Sequence, residues 1–495
     1  MIQPVSRRRF LGTSAVALAG SFSVPHLVLG GVGVARPMTR TLGRTGLEVT
    51  TFGLGGQASL QWTPADVDPV PIIVKALESG VNYFDTSNVY GPSQENFGEA
   101  FRRMNLVPGL SGYDERRRRS IFLASKTMIR HAKGSHPDVR DRTEGPRGSM
   151  AVDDLRRTLS QVFGDGQGHY DDDAYVDLFL IHNLNTMEEV DAIYYGLETP
   201  DPRAERIGAL AALRDYRDGT NLTGLNPKEE RRIRHIGISG HSSSPVMIEC
   251  LQRDGQDDLI DAMLIAINAN DRLYLNHQHN AIAVAAAKNV GQIAMKVFAD
   301  GAMYTKPARW SGTPADVVRA VGDPELPSRP LVEYALSTPG IDTAIVGIGQ
   351  IDDEARACQL AQNLSAAQIR PEALGEGDRE EIERLARRAK DGETNWFQVD
   401  RQPLGAPRDV AAEVVQSNDT ARLRVTWHMA YAADAPITHY EIRRGEEALG
   451  RVDHRPQTSK APFEFLAAAG EPGAVIRVVT VDAAGHSAAS EPVRV

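Results

Sequence analysis

Short apolar runs recur along most of the chain and set its predicted fold. Most of these runs are rich in Val, Ile, Leu or Ala and are continuously apolar rather than alternating with polar residues. Strands with this pattern are buried on both faces, as in a parallel sheet. We predict eight such strands, over residues 49–56, 81–85, 121–126, 176–182, 235–239, 262–268, 292–296 and 343–347.

Longer amphipathic intervals separate the runs and predict helices. In "VPIIVKALESG" (70–80) and "AIAVAAAKNVG" (281–291) we expect the final glycine to cap the helix. Eight strand–helix units between residues 38 and 390 predict an α/β fold, a closed (β/α)8 TIM barrel with insertions. An open doubly wound sheet is the alternative, but no G-x-G-x-x-G turn follows the first run. Surface insertions, some of them over the barrel mouth, are predicted at 103–119, 130–148 and 195–230.

The pattern changes after residue 390. A linker is predicted at 391–407, and residues 408–495 alternate between apolar and polar positions with turn residues between the segments. This period of two predicts a small all-β sandwich. With Trp427 in an early strand and Tyr440 in a middle one, the segment resembles a fibronectin type III module. It departs from that resemblance at Ala474, where such modules usually carry a tyrosine.

The N-terminal residues show a different pattern from the strand and helix units that follow. "SRRRFLG" (6–12) precedes an uncharged stretch that ends at Ala35. Consecutive arginines before a Gly/Ala-rich apolar run resemble a twin-arginine export signal. A membrane anchor is the alternative, but Pro25 and His26 interrupt the stretch as a spanning helix. We therefore predict a signal over residues 1–35, a periplasmic or otherwise exported protein, and no stable membrane insertion after signal removal.

The amino-acid composition and the net charge exclude some classes of partner and site. The 495 residues are 41% hydrophobic and 24% charged, with a formal net charge of −10. This charge argues against a nucleic-acid partner, which requires concentrated Lys and Arg. The one dense basic cluster, "DERRRRS" (114–120), is predicted to be a solvated loop. Cys250 and Cys358 match no metal-ligand spacing, and no metal site is predicted.

Four chemically active side chains fall at the ends of adjacent predicted strands. Asp85 ends the second strand, with Tyr90 in its loop, Lys126 ends the third, and His182 ends the fourth. In a TIM barrel these ends meet at the catalytic face. The four residues, within "FDTSNVYG", "FLASK" and "YVDLFLIH", resemble the catalytic tetrad of the aldo-keto reductases.

The four side chains fit the chemistry of carbonyl reduction by hydride transfer. Hydride addition to a carbonyl leaves an alkoxide, which needs a proton donor such as the Tyr90 phenol, whose ordinary pKa is about 10. Lys126 is expected to lower that pKa, with Asp85 holding Lys126 in place and His182 orienting the carbonyl oxygen. These steps need no metal.

The resemblance also implies a nicotinamide cofactor, although several of its usual contacts are altered. The family pairs Ser with Asn after strand five, and here Ser239 precedes Gly240. Leu264 stands where a Gln is expected, so Asn268 or His241 is a candidate substitute. Met295, beside Lys296, aligns with the aromatic that commonly stacks on nicotinamide. We also assign Gly55, Gly56, Gly347 and Gly349 to cofactor binding, because glycine allows close approach of a ligand.

Cofactor preference and substrate are less defined. Resemblance favours NADP over NAD, but Asp352 and Asp353 lie near the expected 2′-phosphate position, and Arg356 is the one nearby cation. We therefore expect a weak preference for NADP. The predicted substrate is a small-molecule carbonyl compound or a sugar-like one, and the C-terminal module is a possible contact surface for a partner. A cofactor-binding barrel that serves as an adaptor with little turnover is the alternative function.

Overall fold

The computed structural model describes residues 37–495, apart from 137–138, 143–149, 255–257, 275, 305, 353–357, 393–397 and 418–419. The predicted export signal at 1–35 lies outside the described residues. The same holds for Asp353, Arg356 and part of the predicted linker.

Eight parallel strands close into a barrel in chain order. We number them strands one to eight: Phe52–Gly55, Tyr83–Asp85, Phe122–Thr127, Val176–Ile181, Ile233–Gly240, Ile260–Ala266, Gly291–Met295 and Thr343–Val346. Strand eight pairs with strand one, with Ala344 opposite Phe52, and this pairing closes the sheet. Each predicted run overlaps one of these strands, so the TIM-barrel prediction is confirmed.

The first strand is shorter than predicted. Glu48–Thr50 pairs antiparallel with Thr39–Thr41, and this hairpin precedes strand one. Leu42 and Val49 from the hairpin pack into the same buried cluster as Leu264 of strand six. The run at 49–56 is buried throughout because its start covers the interior at one end of the barrel and its remainder forms the wall.

Helices connect the strands around the barrel, at Val70–Glu78, Ser93–Arg103, Glu115–Arg119, Ala151–Val162, Met187–Tyr194, Ala209–Asp218, Ser244–Arg253, Ala281–Ala287, Ser328–Ser337, Gln359–Ala366 and Glu376–Arg388. Gly80 has φ +85° just after the first of them, as expected of a cap. The predicted cap at Gly291 is wrong. The helix ends at Ala287, and Gly291 opens strand seven, where a β-carbon would lie 2.7 Å from Leu42 Cγ.

The basic cluster at 114–120 is a short helix rather than a solvated loop. Asp114 caps it by accepting a hydrogen bond from Arg117 N at 2.9 Å. Arg118 is fully buried and donates to Asp177 Oδ2 at 2.8 Å, with its guanidinium 4.1 Å from the Tyr175 ring centre. The sequence showed the charge run but not the carboxylate that strand four places opposite one member of it.

The interval at 195–230 is only partly an insertion. Its helix Ala209–Asp218 buries Leu210, Leu213 and Tyr216 and belongs to the barrel wall. Ile207–Gly208, just before this helix, pairs antiparallel with His131–Lys133. The prediction of a surface insertion across the whole interval is therefore wrong.

Residues 408–495 form two antiparallel sheets. One contains Arg408–Ser417, Thr420–His428 and Phe463–Ala468, and the other contains Ile437–Arg444, Glu447–Asp453, Val475–Asp482, Ser487–Ala489 and Val493–Arg494. Between the sheets, the ring of Trp427 stacks on Phe463 at 5.7 Å and meets Tyr440 edge-on at 5.6 Å. The predicted all-β C-terminal domain, which we call the C-terminal module, is confirmed.

Side chains of the barrel hold the C-terminal module through its main chain. Asn280 Nδ2 donates to Ala432 O at 3.0 Å, and Ala432 N donates back to Asn280 Oδ1 at 2.9 Å. Gln252 Nε2 donates to Gln457 O at 2.7 Å. These bonds fix the module to elements that follow strands five and six.

A bilayer-spanning helix needs both length and a sustained apolar character. Within the described part of residues 37–495, none of the helices has both.

Candidate active site

Four polar side chains meet where strands two, three and four end. Asp85 is the last residue of strand two, Lys126 is next to last in strand three, and His182 directly follows strand four. Tyr90 lies in the loop after strand two, in a turn where its N–H donates to Ser87 O at 3.1 Å. The structure therefore brings together the four residues that the sequence singled out.

Lys126 and Asp85 form a buried ion pair. Lys126 Nζ donates to Asp85 Oδ1 at 2.5 Å and to Thr86 O at 2.7 Å, and the two side chains are 0% and 1% exposed. Burial raises the pKa of Asp85 and lowers that of Lys126, while the charge of each partner opposes the shift of the other. Asp85 Oδ2 is buried and has no hydrogen-bond partner among the residues that the structure describes.

Tyr90 lies between this pair and His182. Lys126 Nζ is 4.8 Å from the centre of the Tyr90 ring, and the Tyr90 hydroxyl is 3.5 Å from His182 Nε2. The pKa of Tyr90 is raised well above its usual value of 10, mainly by burial and further by the carboxylates of Asp85 and Asp300. This net direction is opposite to the one expected from the sequence, because burial is the largest influence and the two carboxylates add to it. The phenol therefore keeps its proton at neutral pH.

His182 is held as a neutral ring. Its pKa is lowered well below 6.5, first by burial and then by the charge of Lys126. Its Nδ1 lies 3.3 Å from Ser87 Oγ, and Val89 N donates to the same hydroxyl at 3.4 Å. The loop after strand two thus orients the imidazole as well as the phenol.

A cleft opens beside Tyr90, along the ends of strands one, seven and eight. Five predicted cofactor residues line it, namely Gly55, Gly56, Met295, Lys296 and Gly347, together with Asp85 and Tyr90. A β-carbon at Gly56 would lie 2.5 Å from Asp85 O, so only glycine lets these strand ends approach. The glycine-lined wall leaves backbone accessible to a ligand, which fits a nucleotide.

Two predicted residues at strand five do not line this cleft. Ser239 Oγ accepts a hydrogen bond from Asn183 N at 2.9 Å, and a β-carbon at Gly240 would lie 2.5 Å from Met247 Sδ. The nearby His241 has its Nδ1 2.7 Å from Asn183 Oδ1. These contacts tie strand five to the loop after strand four.

Asn268 and Gly349 also lie outside the cleft lining. Asn268 Nδ2 donates to Asp271 Oδ2 at 2.8 Å and to Lys296 O at 3.2 Å, so this side chain supports the loop that carries Lys296. A β-carbon at Gly349 would lie 2.6 Å from Arg319 Cα, because the chain after strand seven folds over it.

The sequence analysis missed residues on that same segment and after strand one. Gln57 and Ala58 follow the two glycines, while Phe298, Asp300, Ser311 and Val318 belong to the interval between strands seven and eight, and all of them line the cleft. Trp310, on the same interval, stands edge-on to Trp62 with ring centres 5.6 Å apart. The one available signal was the length of this interval, which exceeds a simple helical crossover.

Comparison with known proteins agrees with this geometry. The model of the Aldo/keto reductase family matches residues 51–313. An aldo-keto reductase of Fusarium vanettenii is 32% identical over 90 residues, which cover 17% of this chain and 24% of that protein. The chain thus aligns with about a quarter of the length of this curated relative.

Solved structures with a similar fold include a Pseudomonas aeruginosa protein described as an aldo-keto reductase. It is 22% identical, with a TM-score of 0.39 over 66% of this chain and 93% of its own. A Bombyx mori aldo-keto reductase, solved in complex with NADP, is 15% identical, with a TM-score of 0.44 over 71% of this chain and 94% of its own.

Proposed function

Because the chain belongs to the aldo/keto reductase family, we propose that it is an NAD(P)-dependent oxidoreductase that interconverts a carbonyl and an alcohol on a small or sugar-like substrate. The observation that carries the proposal is the contact set of Asp85, Lys126, Tyr90 and His182 beside a glycine-lined cleft. When bound, the nicotinamide ring supplies the hydride. Gly55, Gly56, Gly347, Met295 and Lys296 would hold the nucleotide.

Tyr90 is the proposed proton donor. A carbonyl oxygen that gains negative charge becomes a stronger base than the phenolate, so it takes the phenolic proton. Burial keeps that proton on Tyr90 at neutral pH, and Lys126 over the ring stabilises the phenolate that remains. Asp85 holds the lysine ammonium in place through the 2.5 Å bond.

His182 is proposed to orient the substrate. Its Nε2 lies 3.5 Å from the Tyr90 hydroxyl, so a carbonyl oxygen placed beside the two groups would be within hydrogen-bond distance of both. Because the ring stays neutral, it acts through a hydrogen bond rather than as a charge.

Substitution of Tyr90 tests the proposal. Tyr90→Phe keeps the ring and removes the proton, so single-turnover reduction of a small aldehyde should slow by about 10²–10⁴-fold while nucleotide binding is retained. Lys126→Met should be similarly damaging, and His182→Ala less so. Tyr195→Phe is the matched control, since Tyr195 is 45% exposed. A near wild-type rate for Tyr90→Phe with intact binding would exclude Tyr90 as the donor.

Cofactor choice is a further part of the proposal. The family uses NAD(P), and resemblance favours NADP, but Asp352 near the expected 2′-phosphate position argues for a weak preference. Asp352 Oδ1 accepts a hydrogen bond from Gln350 Nε2 at 3.2 Å. Titration with NADPH and NADH should give similar affinities. A preference for NADPH of several orders of magnitude would contradict this.

A second candidate function is a cofactor-binding barrel that acts as an adaptor with little turnover. The observation that favours it is the position of Ser239, Gly240 and Asn268, which are expected to hold the carboxamide but do not line the cleft. Tight nucleotide binding without measurable single-turnover reduction across several aldehydes would select this function. Turnover that depends on Tyr90 would reject it.

Export and the identity of the C-terminal module stay proposals from the sequence. The double variant Arg7→Lys and Arg8→Lys should leave folded protein in the cytoplasm, and an unchanged periplasmic yield would contradict twin-arginine export. The pairing of a three-stranded sheet with a second antiparallel sheet supports a fibronectin type III-like module, proposed to contact a partner.

A further inference from the structure

Three carboxylates line the cleft, and each has its own cation. Asp85 is paired with Lys126, as described above. Asp300 Oδ2 accepts from Lys306 Nζ and, at 2.8 Å, from Ser311 Oγ. Asp316 pairs with Arg309 at 2.8 Å. The negative charges of the cleft wall are therefore already matched.

Lys296 is the cation of the cleft without such a match. Its Nζ donates to the neutral Gln57 Oε1 at 2.7 Å and lies 4.8 Å from the centre of the Trp310 ring. It makes no ion pair with any residue in the described part of the chain. A largely buried ammonium without an ion-pair partner is unfavourable. Burial lowers the pKa of Lys296 to about 8, and the charge of Asp300, which is already paired with Lys306, opposes that shift only in part. An anion in the cleft would supply the missing partner.

The backbone around Lys296 is also unusual. Lys296, Ala299 and Asp300 have φ of +63°, +50° and +58°, a region that residues with a β-carbon rarely adopt. Such strain persists where surrounding contacts hold it, and it concentrates at functional sites. Here Asn268 Nδ2 supports the turn by donating to Lys296 O at 3.2 Å. The strained backbone at Lys296, Ala299 and Asp300 thus places the Lys296 side chain in the lining of the cleft.

We propose that Lys296, with Gln57 and the face of Trp310, forms a binding site for an oxyanion, a phosphate or a carboxylate of the ligand in the cleft. The source of the oxyanion is either the diphosphate of a nucleotide or an acidic carbonyl substrate, and this part rests on the proposed function. The site itself does not, because a free oxyanion should bind there too.

The first measurement uses inorganic pyrophosphate and no enzyme turnover. Trp310 is 38% exposed beside Lys296, so its fluorescence should change as the site fills. Lys296→Met should weaken pyrophosphate binding by about 10- to 100-fold, the usual range for one charged hydrogen bond. Lys296→Arg should retain most of it. Lys228→Met is the matched control, since Lys228 is exposed and distant in sequence from the cleft, and Trp310→Phe checks the origin of the signal.

The second measurement separates the two sources. Binding of NADPH and NADH is titrated, and kcat/KM is compared for 4-carboxybenzaldehyde and the neutral 4-methylbenzaldehyde. If the oxyanion belongs to the nucleotide, Lys296→Met weakens both nucleotides and slows both aldehydes alike. If it belongs to the substrate, only the carboxylated aldehyde loses kcat/KM, through KM, and nucleotide binding is unchanged.

The outcomes are distinguishable. If Lys296→Met is folded by circular dichroism and binds pyrophosphate, both nucleotides and 4-carboxybenzaldehyde as the wild type does, the oxyanion site is wrong. If the wild type reduces neither aldehyde but binds pyrophosphate through Lys296, the site stands and the proposed reductase function fails.

Discussion

Removing the Lys126 ammonium should destabilise the barrel in a way that depends on pH. Lys126→Met keeps most of the side-chain volume but leaves Asp85 without its cation. Asp85 is 1% exposed, and its Oδ2 already lacks a hydrogen-bond partner within the described part of the chain. The carboxyl group must therefore either stay buried as an unpaired anion or take up a proton when the variant folds.

The free energy of protonating Asp85 sets an upper limit on the stability that Lys126→Met loses. The ordinary pKa of the carboxyl is 3.8, which is 3.2 units below pH 7 (7.0 minus 3.8), and each unit corresponds to about 1.36 kcal/mol. Keeping Asp85 protonated at pH 7 therefore costs about 4.4 kcal/mol, within the 3–5 kcal/mol typical of a broken buried pair. At pH 5 the same ceiling is about 1.6 kcal/mol.

The direction of the pH dependence follows from the coupling between protonation of Asp85 and folding. In the variant the pKa of Asp85 in the folded state lies further above its unfolded value, so stability is lost as pH rises. The deficit of Lys126→Met relative to the wild type should grow by about 2.7 kcal/mol from pH 5 to pH 7, as long as the wild-type carboxylate stays ionised over that range.

Urea unfolding at the two pH values, followed by circular dichroism at 222 nm, measures this deficit. Every helix in the described part of the chain lies before residue 393, so the signal reports on the barrel rather than on the C-terminal module. Lys228→Met is the control for losing an exposed lysine. Adding Asp85→Asn to Lys126→Met removes the titrating group and should abolish the pH dependence. An equal deficit at pH 5 and pH 7 for Lys126→Met would refute the reasoning, because it would mean that Asp85 is not a buried titrating carboxyl.

Three further predictions concern titration and domain contact. The pKa of Tyr90 is raised well above 10 and that of His182 is lowered well below 6.5, so neither group should titrate between pH 7 and pH 9. Single-turnover reduction of a neutral aldehyde at saturating nucleotide should therefore not change over that range in Lys296→Arg, which lacks the ammonium with a pKa of about 8. A decline in that variant would show that Tyr90 or His182 titrates. Sulfate binding should weaken as pH rises through about 8, where Lys296 loses its proton. Lys296→Arg should remove this pH dependence. The charged groups that act on Lys296 are Asp300, Lys306, Lys126 and Asp85. Asn280→Ala removes both hydrogen bonds to Ala432 and should lower the free energy of unfolding by about 1–3 kcal/mol. Thermal unfolding and faster proteolytic release of the C-terminal module would measure this loss. Unchanged release would show that other contacts hold the module.

The barrel and its catalytic rim were predictable because both depend on short-range pattern. A strand covered on both faces is typically continuously apolar, and the parallel strands of a barrel end at the same side. Asp85, Lys126 and His182 could therefore be grouped from the sequence. The helix at Ala209–Asp218 was missed because its apolar stretch is short and lies within a long interval rich in Gly, Pro and charged residues. Its buried face has no partner that the sequence could identify.

The cofactor contacts were harder because they depend on which way a strand-end side chain points. Ser239 is present in sequence, but its hydroxyl is taken by Asn183 N, and Asn268 is turned toward the chain at Lys296. Trp310 reaches Lys296, a residue of the cleft, from a long interval that carries no periodic pattern. Such contacts arise from the packing of loops that are distant in sequence, which residue spacing does not encode.

The acidity of Tyr90 shows the same limit in a single side chain. The sequence correctly grouped a phenol with a lysine, and a lone cation lowers the pKa of a phenol. In the structure the lysine is not alone, because its ammonium donates to Asp85 Oδ1 and Thr86 O and faces the Tyr90 ring rather than its hydroxyl. The near neutrality of that pair leaves burial as the largest influence, and the carboxylates of Asp85 and Asp300 add to it. The net effect holds the proton on the phenol until a developing alkoxide is there to take it, which suits reduction of a carbonyl better than a pre-ionised tyrosine would.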